Sequence, residues 1–243
     1  MAFYKITYNP HFKRANLYGW SCNFRCRGCS YKLKSPYEGE PFLSLEKVKE
    51  VLRGLDIEKV HFLGGEPTTN PDLPEIARFA HNELGAYTKI GHSNGSNMPP
   101  QDIDATSVSI KAYTDALHID YTGVSNATAL KNFAEAYRLG IKLDASSVFI
   151  PGYIACDEIE RIARFIAGVD PNIPYHIVGY VPVPGVAWRR PTYGEMEEAA
   201  AIASKYLASV TFSHLNLEDF VDLGTRDIRY RSVVVAGSGQ KRF

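Results

Sequence analysis

Apolar, β-rich stretches alternate along this chain with stretches whose apolar residues recur at helical spacing. Buried strands read as short apolar runs, whereas an amphipathic helix has apolar positions three and four residues apart. The alternation therefore predicts βα units and a parallel sheet. The predicted strands cover 15–21, 60–64, 87–93, 107–112, 141–150 and 175–183, with a further apolar stretch at 210–215.

Helices are predicted between these strands at 44–55, 73–84, 127–140, 156–169 and 193–208. Ser44, Asp72 and Asn126 stand where an N-cap is expected, and Gly85 and Gly140 stand where a helix stops. About six βα units occupy residues 15–214. The pattern predicts an α/β fold, a partial parallel (βα)6 TIM-like barrel with its active site at the C-terminal ends of the strands. A flat doubly wound sheet would give much the same pattern, so that alternative stays open.

Composition describes an ordinary globular chain of 243 residues, 45% of them hydrophobic and 22% charged. No repeat or linker divides it, so a single domain over 1–243 is predicted, with the barrel core at about 15–214. The extension at 215–243 would then be packed on the barrel or mobile. Lys plus Arg equals Asp plus Glu at 27 each. The net charge is therefore zero, and no overall positive field indicates nucleic-acid binding, although local charged patches are compatible with a net charge of zero.

No apolar run reaches the roughly 18 residues that a membrane helix needs. The N-terminus lacks an apolar segment followed by a cleavage site, so it does not resemble a signal peptide. A cytoplasmic protein without a membrane partner is expected. In that reducing compartment, four cysteines are better interpreted as metal ligands or catalytic groups than as disulfides.

Three of the cysteines, Cys22, Cys26 and Cys29, form a C-x3-C-x2-C loop directly after the first predicted strand. Such thiolates can converge on an iron–sulfur cluster. A cubane normally takes four cysteines, so three leave one iron open, which indicates chemistry at the metal. The alternative is a structural zinc site with Cys156 or a histidine as fourth ligand. Cys156 is interpreted instead as a small apolar residue near a helix start.

The cysteine spacing resembles the signature of the radical S-adenosylmethionine (SAM) superfamily, and a second motif supports it. Gly64-Gly65-Glu66-Pro67, at the end of the second predicted strand, is similar to that family's GGEP. On these two motifs the chain is identified as a member. The resemblance implies a [4Fe–4S] cluster with SAM on its open iron, and an oxidoreductase that works anaerobically. Reductive cleavage of SAM would give a 5′-deoxyadenosyl radical that abstracts hydrogen from a substrate. Flavodoxin or ferredoxin would supply the electron.

A nearer resemblance, over roughly residues 15–214, is to the activating enzymes of pyruvate formate-lyase and other glycyl radical enzymes. It rests on GVSN at 123–126, VFIPG at 148–152, SNG at 93–95 and SVSIK at 107–111. By position, Lys111 would contact the SAM carboxylate, and the glycine edge would pair with the methionyl amine. The implied metal ligands are Cys22, Cys26 and Cys29, and the implied SAM-binding residues are Phe24, Gly28, Gly64, Gly65, Glu66, Ser93, Asn94, Lys111, Ser146, Val148 and Tyr180.

One departure from the family pattern concerns the adenine. The family usually has an aromatic residue immediately before the third cysteine, where it packs near adenine, but this chain has Gly28. Trp20, Phe24 or Tyr31 are candidates to supply the ring instead.

Further departures concern the activase substrate. Two aspartates that help activases to bind a monovalent cation correspond to His92 and Ser109, and a strand-five arginine corresponds to Ser146. These changes keep the cleavage machinery but weaken the case for the same protein substrate. The substrate is therefore a glycyl radical protein or, alternatively, a small metabolite, peptide or RNA base. A non-catalytic metal-binding module is the alternative of another class.

The tail after residue 215 lies beyond the resemblance. Arg226, Arg229, Tyr230 and Arg231 form a basic and aromatic cluster there. A solvated strand capping the barrel is the favoured interpretation. The alternative is a docking edge for a phosphate, peptide or RNA.

Overall fold

The computed structural model describes residues 3–33, 42–215 and 228–237, and these build one nine-stranded sheet with helices packed against it. The strands are β1 (Phe3–Asn9), β2 (Arg14–Gly19), β3 (Lys59–Leu63), β4 (Tyr87–Ser93), β5 (Ala105–Ser109), β6 (Lys142–Phe149), β7 (Tyr175–Gly179), β8 (Val210–Ser213) and β9 (Val233–Gly237). The α-helices are α1 (Leu45–Arg53), α2 (Leu73–Arg78), α3 (Asp115–Thr122), α4 (Ala127–Arg138), α5 (Cys156–Val169) and α6 (Tyr193–Ala203).

Strand order separates the two predicted alternatives. The sheet runs β8-β7-β6-β5-β4-β3-β2-β1-β9, and β2 to β8 are parallel neighbours in chain order. A doubly wound sheet reverses its strand order at a switch point, and this sheet does not. The chain is therefore wound in one direction, as in a partial TIM-like barrel, and the α/β prediction is confirmed. β1 and β9 extend the sheet by antiparallel pairing.

The apolar core lies between the sheet and the helices. Leu17, Phe62 and Ile90 are fully buried in one cluster against α1 and α2, and a second cluster packs β5–β8 against α4, α5 and α6. Alternate residues of the strands point the other way, because side chains alternate across a sheet. That opposite face carries polar groups, among them the ion pair of Lys89 with Asp144.

Several predicted helix ends are present, although not every predicted cap is made. The Ser44 hydroxyl accepts from the Lys47 amide at 3.2 Å, and α5 covers the predicted 156–169. Asp72 and Asn126 occupy N-cap positions without making a side-chain cap bond. The Asn126 amide instead donates to the Ala112 carbonyl at 3.2 Å. Asn126 therefore ties the helix to the connection between β5 and α3.

Other elements differ from the predictions. The fourth predicted strand, 107–112, is β5 at 105–109, and the sixth ends at Gly179 rather than at 183. The connection from β4 to β5 contains no helix. β1 and α3 were not predicted from the sequence pattern. In α3 the buried side chains are His118, Tyr121 and Thr122, so an apolar helical spacing is absent.

The described part of the tail lies along the N-terminal strand. β9 pairs with β1, and the Asn9 side-chain amide donates to the Arg229 carbonyl at 2.9 Å. The Tyr230 ring lies 5.8 Å from that of Phe12, measured between centroids. Arg226 of the predicted basic cluster lies outside the described residues. Within those residues, we find no helix with the length and apolarity to cross a bilayer.

Candidate active site

The three cysteines lie in the loop that follows β2, at the C-terminal edge of the parallel strands. Cys22 is exposed, and Cys26 and Cys29 are partly buried. Burial is the main cause that raises the pKa of the Cys22 and Cys26 thiols, and each also responds to the charge of Cys29. The three sulfur atoms are therefore within electrostatic range of one another.

The cysteine loop is fastened to the end of α3 by main-chain hydrogen bonds. The Arg25 amide donates to the Thr122 carbonyl at 3.0 Å, and the Arg27 amide donates to the Tyr121 carbonyl at 2.9 Å. These bonds satisfy carbonyl groups that a helix C-terminus leaves without partners. The unpredicted helix α3 thus serves as the support of the loop.

The donor set, three thiols in one short loop, fits the ligands of an iron–sulfur cluster. In a cubane each cysteine takes a different iron, so the thiolates surround the cluster rather than meet at one point. In the described part of the chain, no three His, Cys, Asp or Glu side chains are placed to hold a single metal ion. Cys156 begins α5 and packs against the core of β5–β8. It lies in the position that the sequence interpretation assigned to it.

The glycine pair of GGEP is required by the backbone packed against it. Gly64 and Gly65 have φ values of 86° and 54°, in the left-handed region that glycine adopts without strain. A Cβ on Gly64 would lie 2.3 Å from the Gly19 carbonyl oxygen, and one on Gly65 would lie 2.0 Å from that of Ser21. The end of β3 therefore packs directly on the start of the cysteine loop.

Glu66 connects the ends of β3 and β4. Its side chain is 1% exposed. One carboxylate oxygen accepts from the Thr68 amide at 3.1 Å, the Thr68 hydroxyl at 2.6 Å and the Ser93 hydroxyl at 3.0 Å, and the other accepts from the Asn94 amide. A buried carboxylate is tolerated when donors surround it in this way. Glu66 thus fixes the SNG turn beside the cysteine loop.

Asn94 and Lys111 complete the polar side of the loop. The Asn94 side-chain amide nitrogen donates to the Asn23 side-chain oxygen at 2.9 Å and lies 3.9 Å from the Cys22 sulfur. The Lys111 ammonium donates to the Ser109 hydroxyl at 2.7 Å, and its charge partly offsets the rise that burial causes in the pKa of the Cys22 and Cys26 thiols. Among the described residues no carboxylate forms an ion pair with Lys111.

The ring expected near residue 28 comes from elsewhere in the chain. A Cβ on Gly28 would lie 2.9 Å from the Tyr121 hydroxyl, 3.1 Å from the Tyr180 ring and 3.3 Å from the Trp188 ring. These side chains follow from α3, from the end of β7 and from the connection to α6. Tyr180 was expected among the SAM-binding residues from the family resemblance alone. No local motif marks Tyr121 or Trp188, so the sequence did not point to them.

The three rings suggested from sequence lie elsewhere. Trp20 packs on Tyr31, with centroids 5.8 Å apart, and the Tyr31 hydroxyl faces Gly64. Phe24 packs edge-on against His118 of α3 at 5.6 Å. None of the three is among the nearest neighbours of Gly28. Residues distant in sequence fill the space next to Gly28 instead, and which ring contacts adenine stays a prediction.

Of the remaining predicted residues, Val148 packs in the same apolar cluster as Tyr180 and Cys26. Ser146 is buried on β6, in register with Ser109, and its carbonyl accepts from the Ile110 amide at 2.8 Å. The ring of His92 reaches solvent, but protein surrounds it on the polar face of the sheet. That partial burial, together with Lys111 and Lys89, lowers the pKa of His92 to about 4. His92 is thus neutral at pH 7.

Comparison with known proteins agrees with this geometry. The family model of the radical SAM superfamily matches residues 20–166, well over half of the chain. The chain therefore belongs to the radical SAM superfamily. The cofactors of that superfamily are a [4Fe–4S] cluster and SAM, and they are those of this chain.

Individual relatives show how far the likeness extends. The chain is 31% identical over 208 residues to the putative glycyl-radical enzyme activating enzyme of Methanocaldococcus jannaschii, covering 82% of this chain and 80% of that protein. A domain of pyruvate-formate lyase-activating enzyme from Bacteroides vulgatus superposes with a TM-score of 0.53 at 19% identity, over 64% of this chain and 98% of that one.

A solved structure with bound SAM shares the fold. Streptococcus suis SuiB bound to S-adenosylmethionine superposes with a TM-score of 0.62 at 16% identity. The match covers 80% of this chain but 49% of SuiB, so this chain spans about half the length of that protein. At such low identity the likeness describes the fold alone.

Proposed function

We propose that Cys22, Cys26 and Cys29 each bind one iron of the cluster and that SAM occupies the fourth iron. The observation that carries this proposal is the convergence of the cysteine loop, the GGEP turn and Lys111 at one edge of the sheet. When bound, the cluster would supply the electron for reductive cleavage of SAM to methionine and a 5′-deoxyadenosyl radical, and the residues of this chain would orient SAM and exclude competing hydrogen donors.

Roles for the chain's own residues follow from their positions. Lys111 would pair with the SAM carboxylate, because its positive charge acts on the thiols of Cys22 and Cys26, where an anionic ligand is expected. Ser93 and Asn94 would line the ribose and methionyl side, held there by Glu66. Val148 and Tyr180 would flank the adenine.

The test compares two cysteine variants. Cys26→Ala should lose iron after anaerobic reconstitution and form no 5′-deoxyadenosine from SAM and dithionite. Cys156→Ala is the matched control, since that thiol lies on α5 away from the loop, and it should keep both properties. Full iron content and cleavage in Cys26→Ala would contradict the assignment.

For the substrate, we propose a glycyl radical protein. The relative from M. jannaschii, matched over most of both chains, supports it. His92 and Ser109, which stand where activases have aspartates, and Ser146, which replaces an arginine, argue for a different recognition surface or a different substrate. Modification of a small metabolite, peptide or RNA base is the competing proposal.

Stoichiometry separates these proposals. An activase consumes one SAM per substrate protein and leaves a persistent glycyl radical in the electron paramagnetic resonance spectrum. The glycyl radical protein to test is the one encoded nearest to this gene. Many turnovers on a small molecule, with no stable protein radical, would support the competing proposal instead.

A one-electron reductant is the remaining partner that we propose. Flavodoxin and ferredoxin are candidates because both deliver single electrons at low potential. The four cysteines are free thiols, and a reduced cluster requires a reducing compartment, so we propose the cytoplasm. Slower SAM cleavage with dithionite than with reduced flavodoxin or ferredoxin would support a protein donor.

A further inference from the structure

Gly28 is required by space rather than by backbone conformation. Its φ lies outside the left-handed region, unlike the φ of Gly64 and Gly65. A Cβ at this position would nevertheless meet Tyr121 at 2.9 Å and two further rings within 3.3 Å. A contact shorter than 3.0 Å forces a neighbour to shift, so a side chain at 28 would displace the Tyr121 hydroxyl and press on the other two rings.

Four rings form what we call the aromatic wall: Tyr121, Tyr153, Tyr180 and Trp188. Trp188 lies at its centre. It stacks on Tyr153 with centroids 4.4 Å apart and planes at 25°, and it meets Tyr180 edge-on at 5.8 Å and Tyr121 at 5.9 Å. Offset stacks and edge contacts are the favoured geometries of aromatic pairs. The wall joins three segments of the chain at the cysteine loop: α3, the β6–α5 connection and the β7–α6 connection.

Arg27 clamps the loop to this wall. Its guanidinium carbon lies 5.0 Å from the Trp188 ring and 5.7 Å from the Tyr153 ring. It also pairs with Asp120 at 2.5 Å, and the Tyr153 hydroxyl donates to the same carboxylate. A cation over a ring and a carboxylate beside it fix the direction of the Arg27 side chain.

We propose that Trp188 is a positioning residue for the cluster. Through Arg27 and the space at Gly28 it fixes the half of the loop that carries Cys26 and Cys29, and it shields that half from water. Trp188, which belongs to the β7–α6 connection, thereby packs against the loop where Gly28 has no side chain. The proposal rests on the proposed function, because it requires the cluster in this loop.

The experiment measures cluster retention and cluster environment in Trp188→Ala, Trp188→Phe and wild type. After anaerobic reconstitution, all three should hold equal iron. Trp188→Ala should release iron to a chelator at least about five-fold faster than wild type. Its visible circular dichroism, which a cluster acquires from a fixed protein surround, should fall by about half. Trp188→Phe should restore most of both properties, because it keeps a ring.

Tyr137→Ala is the matched control, since this exposed ring lies on α4, outside the aromatic wall. It should behave as wild type. Release and dichroism in Trp188→Ala that equal those of wild type would overturn the inference. If the metal-free Trp188→Ala protein melts several degrees below the control, Arg27→Gln decides the inference in its place.

Arg27→Gln keeps the inference testable if Trp188→Ala does not fold. It removes the cation and leaves the wall, so iron release should be intermediate between wild type and Trp188→Ala, at least about two-fold faster than wild type. Unchanged release would contradict the clamp. Failure of wild type to load iron, or full loading of Cys26→Ala, would instead refute the proposed function, so the two failures are distinguishable.

Discussion

The two sides of the cysteine loop are held in place by different kinds of contact. On the Cys22 side, Gly64 and Gly65 let the main chain after β3 pack directly on the main chain of the loop. The buried Glu66 carboxylate and the Asn94 side chain add hydrogen bonds there. On the Cys26 and Cys29 side, aromatic rings and an arginine pack side chain on side chain. Hydrogen-bonded main chain tolerates no added atoms, whereas side chains can shift. The first side should therefore respond sharply to small substitutions and the second side gradually.

The largest effect is expected from Gly65→Ala. The new methyl group would lie 2.0 Å from the Ser21 carbonyl oxygen, in a residue with φ of 54°. Left-handed strain and overpacking together should lower the free energy of unfolding by about 3 kcal/mol. Urea denaturation of the metal-free protein measures it.

The matched control is Gly85→Ala, whose φ of 63° is similar but whose Cβ would meet nothing within 4 Å. Strain alone should cost it about 1 kcal/mol. Equal losses in the two variants would show that the contact between β3 and the loop is not tight.

Glu66→Gln should come next. The substitution keeps the shape but replaces an acceptor oxygen with an NH2 group that faces donors. With a buried donor left unsatisfied, the free energy of unfolding should fall by about 2 kcal/mol. Glu197→Gln, on the exposed side of α6, should change stability by less than about 0.5 kcal/mol. If Glu66→Gln were as stable as this control, the Glu66 carboxylate would not stabilise the Cys22 side of the loop.

The smallest effect concerns Asp120 on the aromatic side. The Tyr153 hydroxyl and then Arg27 hold the pKa of the Asp120 carboxyl below its usual value. A lowered folded-state pKa gives stability that is present above the unfolded pKa of about 4 and is lost as the pH falls through the folded pKa.

The measurement is the thermal midpoint of Asp120→Asn against wild type. The variant should melt slightly lower at pH 7, and the gap should shrink below about pH 4, where the wild-type carboxyl takes up a proton. A gap that widens on acidification would mean that Asp120 is not clamped as an anion.

Much of the framework was predictable from the sequence. The strand at 87–93 and the helix at 156–169 were predicted at their observed ends, because apolar periodicity and capping residues are local signals. The shift of β5 and the early end of β7 reflect where neighbouring strands stop pairing, which no local pattern encodes. The helix α3 escaped prediction because it buries polar residues.

The sequence by itself determined the chemistry of the site: three cysteines at a fixed spacing, GGEP, and the order of strands and helices between them. The two motifs are local in the sequence, because each loop takes its functional residues from one short stretch of the chain. The tertiary structure decided which rings stand beside Gly28, what Glu66 binds and what supports the loop. Those contacts join residues that the sequence separates widely, and packing in space alone brings them together.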